Sequence, residues 1–184
     1  MTCIVGVKHK GGVVIGGDSA GVAGLDLVVR SDRKVFVKDD YVMGFTTSFR
    51  MGQLLHHALT VPVCYDGMDL EHFMVTSFVN AVRDCLKTGG FASKDKEEEQ
   101  GGCFVVGYKG RLFTIESDYQ VGEAVDSFTA VGCGAKFALG SLCETESLKP
   151  KDRVQRALNA AERYSAGVRK PFHIVEGGTD APAK

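Results

Sequence analysis

Residues 2–19 read TCIVGVKHKGGVVIGGDS, and this stretch decides the fold class. Two runs rich in β-branched side chains, residues 4–7 and 13–15, flank the turn signal Gly11-Gly12. Such a pattern is typical of a β-hairpin, because glycine accepts tight-turn backbone angles and β-branched side chains favour strands. The stretch therefore predicts two antiparallel strands at the start of the chain, with Asp18 at the end of the second strand.

Outward from this hairpin, strand-like and helix-like segments come in blocks rather than in single alternation. The segments that read as strands are 25–29, 35–37, 41–47, 103–108, 112–115, 128–131 and 172–175, and those that read as helices are 51–59, 70–86, 135–143 and a segment that begins after Pro150. Blocks of this kind favour an α+β fold with antiparallel sheets over a doubly wound parallel sheet. Two sheets with helices on both outer faces would account for the order.

Composition limits the classes of protein that fit this chain. It has 184 residues, of which 44% are hydrophobic and 24% are charged, and a formal net charge of −1. A hydrophobic core can form, and the absence of a basic excess makes nucleic acid an improbable partner. No apolar run approaches the about 18 residues of a membrane span, and no basic region of a secretory signal opens the chain.

The cysteines indicate the cellular compartment, and the histidines bear on metal binding. The six cysteines are scattered without a CxxC pair, which is typical of reduced thiols in a cytoplasmic protein. His56 and His57 are adjacent, and no other ligand spacing supports them, so we expect no metal and no cofactor. We expect one domain over residues 1–184, with a charged surface loop at 93–100 and a flexible tail at 177–184.

Thr2 is the first candidate for chemistry. Methionine before a small residue is commonly removed, so loss of Met1 would leave Thr2 as the free N-terminus. A terminal threonine carries a nucleophilic hydroxyl and a general base, its α-amine, on one residue. An α-amine has a pKa of about 7.7–8.0, close to the pH at which a general base is most useful.

Lys34 and Asp18 complete a set with Thr2. Activation of the hydroxyl needs a nearby cation to keep the amine unprotonated, and Lys34, at the start of the fourth predicted strand, is a candidate. Asp18, at the end of the second strand, could supply its countercharge. A threonine at position 2 means little alone, so the prediction depends on all three residues lying on consecutive strands.

Several motifs around these residues resemble the β-type peptidases of the proteasome. The nearest resemblance is to HslV, the bacterial two-component peptidase, and to similar small bacterial or phage-type homologues. The motifs are TCIVGV at 2–7, GGVVIGGDS at 11–19, RKVF at 33–36, VMGF at 42–45, AVGCGAKFA at 130–138 and PFHIVE at 171–176. The resemblance covers nearly the whole chain apart from residues 88–102, and the spacing of Thr2, Asp18 and Lys34 matches the family's nucleophile, acid and lysine.

The resemblance implies a fold and an activity. The fold is the four-layer αββα sandwich of N-terminal-nucleophile hydrolases, which agrees with the block order of the sequence. The activity is that of a threonine endopeptidase. Such an enzyme assembles as a homo-oligomer of stacked rings that enclose a chamber, and it hydrolyses unfolded polypeptides inside that chamber. An ATPase unfoldase is a further partner that the resemblance suggests.

The resemblance also implies roles for individual residues. Thr2 would be nucleophile and base, Lys34 would lower the pKa of its amine, and Asp18 would hold Lys34. The backbone N–H of Gly44 matches the family's oxyanion donor. Cys133 stands where the family usually has a serine that hydrogen-bonds near the amine, and a thiol is the weaker partner.

The resemblance also implies a pocket for a substrate side chain, which would be moderately apolar with one acidic residue. The residues that match it are Gly21, Asp32, Phe36, Val42 and Thr46.

Two alternatives remain open at the level of sequence. A catalytically silent ring or scaffold protein could keep the same fold, and retention of Met1 would block the amine of Thr2. A solitary hydrolase of small amides is the other alternative, because related folds cleave non-protein amides.

Overall fold

The structure is a computed structural model, and it describes residues 1–179 apart from residue 96. The strands, in chain order, are β1 (Ile4–His9), β2 (Gly12–Gly17), β3 (Ala20–Ala23), β4 (Asp26–Val29), β5 (Val35–Lys38), β6 (Tyr41–Phe45), β7 (Ser93–Asp95), β8 (Glu98–Gln100), β9 (Phe104–Tyr108), β10 (Arg111–Ile115), β11 (Val121–Glu123), β12 (Phe128–Val131) and β13 (His173–Gly177). The helices are α1 (Phe49–His57), α2 (Leu70–Phe73), α3 (Val79–Thr88), α4 (Ala135–Cys143) and α5 (Pro150–Tyr164), with a π-helical turn, Met74–Phe78, between α2 and α3.

Two antiparallel sheets form the centre of the molecule. The first has the strand order β12-β1-β2-β13, and the second has the order β11-β10-β9-β6-β5. The predicted hairpin is β1 and β2, with Ile4 opposite Gly17 and His9 opposite Gly12. The α+β class that the sequence predicts is therefore confirmed.

Side chains alternate between the two faces of β1, and both faces are covered. Ile4 points into a core between the two sheets, whereas Val5 and Val7 belong to a core beneath α4 and α5. The alternation follows from the pleat of a strand, in which successive side chains lie on opposite faces. Burial of both faces explains why this strand is an almost continuous apolar run.

Three apolar cores separate four layers of the molecule. One lies between the sheets, a second between the first sheet and α4 with α5, and a third between the second sheet and α1 to α3. Helix α5 lies very close to β2 at Gly16, where an added Cβ would be 2.3 Å from Cγ1 of Val154. The order of layers is helix, sheet, sheet, helix, as the resemblance implied.

A hairpin of β3 and β4 stands apart from both sheets. Residues 25–29 were expected to form a strand, and β4 does so, but within the described residues it pairs only with β3. The apolar side chains of residues 25–29 are exposed, and Leu25 and Val28 are the most exposed of them. The hairpin extends beyond the second strand of the first sheet, next to Asp18.

The charged segment at 93–100 differs from the loop that we expected. Strands β7 and β8 pair there as a short hairpin, with Ser93 opposite Gln100. Pairing satisfies the backbone hydrogen bonds while the side chains of Lys94, Glu97 and Glu98 are exposed, so a run of charges does not prevent strands. In the expected tail, Gly177 is the last residue of β13, and residues 180–184 lie outside the described part of the chain.

The helices are short or amphipathic. Across residues 1–179 without residue 96, none combines the length and the apolar character that crossing a bilayer requires.

Candidate active site

Thr2, Asp18 and Lys34 meet where the ends of three strands converge. Thr2 precedes β1, Asp18 follows β2 in the same sheet, and Lys34 precedes β5 in the other sheet. Nζ of Lys34 donates to Oγ1 of Thr2 at 2.9 Å and to Oδ1 of Asp18 at 2.9 Å. The side chains are 4%, 0% and 1% exposed in the order Thr2, Asp18, Lys34, so the contacts form away from bulk water.

Asp18 is held by main-chain donors as well as by Lys34. Its Oδ1 accepts from the N–H of Cys3 at 3.0 Å, and its Oδ2 accepts from the N–H groups of Ala20 at 2.8 Å and Arg169 at 3.2 Å. These donors compensate the burial of a negative charge, which is costly for a carboxylate without hydrogen bonds. They also fix the oxygen to which Lys34 donates.

Lys34 is a buried cation next to a hydroxyl. Burial lowers the pKa of Lys34 below its ordinary value, and the nearby carboxylate of Asp18 opposes that shift. Burial also raises the pKa of the neighbouring Cys3 thiol to about 12, with the charge of Asp18 acting in the same direction. Cys3 is therefore a neutral core side chain, and Lys34 and Asp18 carry the charges of the site.

The backbone nitrogen of Thr2 lies beside Cys133 and Ser165. The N–H of Thr2 donates to Sγ of Cys133 at 3.3 Å, and that thiol lies 3.4 Å from the carbonyl oxygen of Thr2. Oγ of Ser165 is 3.3 Å from the same sulfur. Gly132 has a φ of 96°, and an added Cβ there would be 2.3 Å from the Thr2 carbonyl oxygen, so glycine is required for this approach.

Met1 covers the nitrogen of Thr2. The hydroxyl of Thr2 donates to the Met1 carbonyl oxygen, and the Met1 side chain packs against Gly167. While the Met1–Thr2 peptide bond is intact, the nitrogen of Thr2 belongs to an amide and cannot accept a proton.

A cavity of about 340 Å³ opens beside the hydroxyl of Thr2. Its wall is mostly apolar or hydroxylic, and its charged residues are Lys34, Arg30 and Asp26. The residues that line it are Met1, Thr2, Ala20, Gly21, Val22, Ala23, Asp26, Val28, Arg30, Lys34, Phe45, Thr46, Thr47, Ser48 and Phe49.

The structure brings together only part of the predicted substrate pocket. Gly21 and Thr46 line the cavity beside Thr2, as the alignment implied. Asp32 and Phe36 line a different cavity of about 410 Å³. Val42 lies in the core between the sheets, because its side chain is on the inner face of β6.

Gly44, the expected oxyanion donor, does not reach the cavity. It lies within β6, opposite Val35 on one side and Val105 on the other. An added Cβ at Gly44 would be 2.6 Å from Ile4, so the residue is enclosed between the sheets. The N–H groups of such an interior strand are used in the ladder and are not free for a ligand.

Thr47 is a cavity residue that the sequence alone did not single out. Its φ is 61°, an uncommon left-handed conformation for a residue with a branched side chain. Its hydroxyl accepts from the N–H of Cys103 at 3.0 Å, which holds the turn in place. Among the described residues, the N–H of Thr47 has no acceptor. Three further residues belong to the site through tertiary contacts, namely Arg30, Phe49 and Ser165.

Comparison with known proteins identifies the fold. No family model and no curated protein sequence matches the chain. Among solved structures, BPH from Thiobacillus denitrificans is 18% identical with a TM-score of 0.76, and the match covers 98% of this chain and 100% of that chain. HslV from Trypanosoma brucei is 18% identical with a TM-score of 0.66, covering 94% of this chain and 97% of that one.

A mutant of Anbu from Hyphomicrobium sp. strain MC1 is also similar, at 17% identity and a TM-score of 0.68, and the match covers 100% of this chain and 85% of that chain. The chain therefore has the fold of HslV-like, proteasome-type proteins, which confirms the resemblance that the motifs indicated.

Proposed function

We propose that this chain is a threonine endopeptidase whose nucleophile is Thr2 after loss of Met1. The observation that carries the proposal is the position of the Lys34 ammonium, 2.9 Å from both the Thr2 hydroxyl and the Asp18 carboxylate in a buried site. A buried ion pair costs desolvation energy and is weak support for stability alone. A cation aimed at a hydroxyl is, in contrast, what an N-terminal nucleophile needs.

The reaction proceeds in two halves. The free amine of Thr2 accepts the proton of Oγ1, and the oxygen attacks the peptide carbonyl to form a tetrahedral intermediate. Collapse of the intermediate breaks the C–N bond, the amine product leaves with the proton, and an ester remains on Thr2. Water, deprotonated by the same amine, then hydrolyses the ester. Lys34 disfavours a protonated amine beside it, because like charges repel.

The developing oxyanion needs a donor at the cavity, and we assign it to the N–H of Thr47. This group lies on the cavity wall without an acceptor among the described residues, whereas Gly44 is enclosed in a strand ladder. Loss of one such donor typically costs about 10²–10³ in rate. In the same scheme, Cys133 holds the amine of Thr2 at its sulfur, in the place of the family's serine.

Assembly and substrate follow from the fold. We propose that residues 1–184 form a single proteasome β-type domain that assembles into stacked homo-oligomeric rings. Unfolded polypeptide would enter the rings, with or without an ATPase unfoldase. The support is the similarity to HslV-like structures over nearly the whole chain. Size-exclusion chromatography with light scattering should give a mass of about ten or more subunits, since closed rings are symmetric oligomers; a monomer would contradict the assembly.

The decisive experiment compares Thr2→Ala with wild-type protein that starts at Thr2. Hydrolysis of fluorogenic peptides should disappear, whereas the oligomeric mass should stay the same and the melting temperature should change little. The hydroxyl and the methyl group that are lost belong to none of the three apolar cores. Thr60→Ala, an exposed position outside the site, is the matched control and should keep full activity. Undiminished hydrolysis by Thr2→Ala would refute the N-terminal nucleophile.

A catalytically silent ring protein is the second candidate, and the contacts of Met1 are the observation in its favour. The Met1 carbonyl accepts from the Thr2 hydroxyl, and the Met1–Thr2 bond removes the base. Intact-mass measurement of purified protein separates the two proposals. A mature chain that begins at Met1 and hydrolyses no peptide supports the silent ring, and a chain that begins at Thr2 and hydrolyses peptides supports the peptidase.

A further inference from the structure

One guanidinium is fixed at the wall of the cavity beside Thr2. Arg30 lies between the ring of Phe49, with Cζ 3.8 Å from the ring centroid, and the backbone of Gly21. The approach to Gly21 is close, since an added Cβ there would be 2.8 Å from Cδ of Arg30. A cation stacked on an aromatic ring in this way loses part of its conformational freedom before any ligand arrives.

Asp32 is hydrogen-bonded to the same guanidinium. Nε of Arg30 donates to Oδ1 of Asp32 at 2.7 Å, and Nη2 donates to Oδ2 at 2.7 Å. A guanidinium has five N–H donors, so this contact leaves both N–H groups of Nη1 and one of Nη2. Among the described residues no acceptor is bonded to these three groups, and Arg30 lines the cavity.

The other charges at the cavity do not satisfy this guanidinium. Lys34 is bonded to Thr2 and Asp18. Asp26 is exposed, so water screens its charge. The neighbouring wall is apolar, through Val22, Val28 and Phe45. A ligand group that enters beside Arg30 therefore meets a positioned planar donor set with apolar surroundings.

We infer that Arg30 selects substrates with a carboxylate side chain near the bond that is cleaved. The inference rests on the proposed peptidase function. Planar donors in a fixed fork match the two oxygens of a carboxylate, and arginine is suited to this recognition where lysine is not. Arg30 thus acts as a specificity residue. Asp32 does not line this cavity itself, but it positions Arg30 through two hydrogen bonds.

The experiment measures the preference for glutamate over glutamine, two side chains of nearly equal size that differ in charge. Acetylated peptides with a coumarylamide leaving group carry Glu or Gln at each of the four positions before the scissile bond. At one position, wild-type protein beginning at Thr2 should show kcat/KM about tenfold higher for Glu, the usual effect of one hydrogen bond to a charged group. Arg30→Ala should reduce the Glu-to-Gln ratio of kcat/KM to about one.

Arg156→Ala is the matched control, because it removes the same charge from an exposed site on α5 and should keep the ratio. A ratio near one in the wild-type protein, or a ratio that survives Arg30→Ala, overturns the inference.

Binding to Thr2→Ala protein separates this inference from the peptidase proposal. Fluorescein-labelled peptides with amidated C-termini should bind about tenfold more tightly with Glu than with Gln. This preference without any hydrolysis by wild-type protein would overturn the peptidase and keep the carboxylate site. Equal affinities, or a preference only for peptides with a free C-terminal carboxylate, would overturn the assignment to a side chain.

Discussion

Lys34→Met replaces a buried cation with a neutral side chain of similar length and therefore tests the site without opening a large cavity. The variant leaves the Asp18 carboxylate buried, with three main-chain N–H donors and no cation. Breaking a buried ion pair by removing one partner costs about 3–5 kcal/mol. Because those three donors remain, we expect a loss of unfolding free energy near the lower end, about 3 kcal/mol.

Lys34→Met should also lower kcat/KM strongly, even in the fraction of the protein that stays folded. Without the cation the Thr2 amine stays protonated near neutral pH, and loss of general-base catalysis typically costs about 10²–10⁴ in rate. The double variant Lys34→Met/Asp18→Asn should recover only part of the stability. The unpaired buried charge is gone, but the amide nitrogen of Asn then faces a main-chain N–H donor that the carboxylate had satisfied. None of the activity should return. The two losses of activity are then non-additive, as expected for residues that act as one unit.

The assay combines kcat/KM on a fluorogenic peptide with urea unfolding between pH 7 and pH 10. Burial lowers the pKa of Lys34 from its ordinary value of 10.5. In the alkaline range below 10.5 the unfolded chain binds more protons at this residue, so its contribution to stability rises with pH. Lys34→Met should lack that rise. Folded, assembled Lys34→Met protein with near-normal turnover would refute the mechanism.

Three further predictions concern other parts of the molecule. Gly16→Ala should lower the melting temperature, because its Cβ would be 2.3 Å from Val154, whereas Gly140→Ala has open space and should raise it slightly through helix propensity. Cys133→Ser should keep peptidase activity and make that activity resistant to the thiol reagent N-ethylmaleimide, whereas Cys133→Val should lose activity. If alkylation of the wild-type protein left its activity unchanged, the role of the Cys133 thiol would be contradicted. The pKa of Cys3 is raised by burial from 9.0 to about 12, so the folded state retains a proton that the unfolded chain loses, and stability should fall as pH rises from 9 towards 12. Cys3→Ala should weaken that fall in urea unfolding, and an unchanged slope would count against it.

The order of elements was predictable because apolar spacing is a local property. Strands β1 and β2 are evident from β-branched runs around a glycine turn, and the helical stripes of α3 and α5 repeat over several turns. Their grouping in blocks then fixed the fold class. The short strands β7 and β8 were missed because charged residues are poor strand formers, and pairing there depends on the backbone.

The candidate site was predictable where it depended on strand ends. Thr2, Asp18 and Lys34 lie beside the ends of strands, so their meeting follows from the pairing of β1 with β2 and the stacking of the sheets. Val42 was misplaced because a motif fixes its position along a strand and not the face that its side chain occupies. Gly44 was misplaced because a motif does not show that its strand has neighbours on both sides.

Thr47 and Arg30 could not be found from the sequence, because their roles depend on a left-handed backbone and on contacts distant in the chain.

Asp18 connects three separate parts of the chain, because its carboxylate accepts from Cys3 near the start, Ala20 at the base of the exposed hairpin, and Arg169 near the end. A chain with this fold and no peptidase activity would therefore still need this aspartate for folding. Among the residues that the structure describes, the Lys34 ammonium has no main-chain partner, and its loss would relieve a desolvation cost once the aspartate were neutralised. Among distant homologues with this fold, the presence of the lysine is thus better evidence of enzymatic activity than the presence of the aspartate, which an inactive protein would also need.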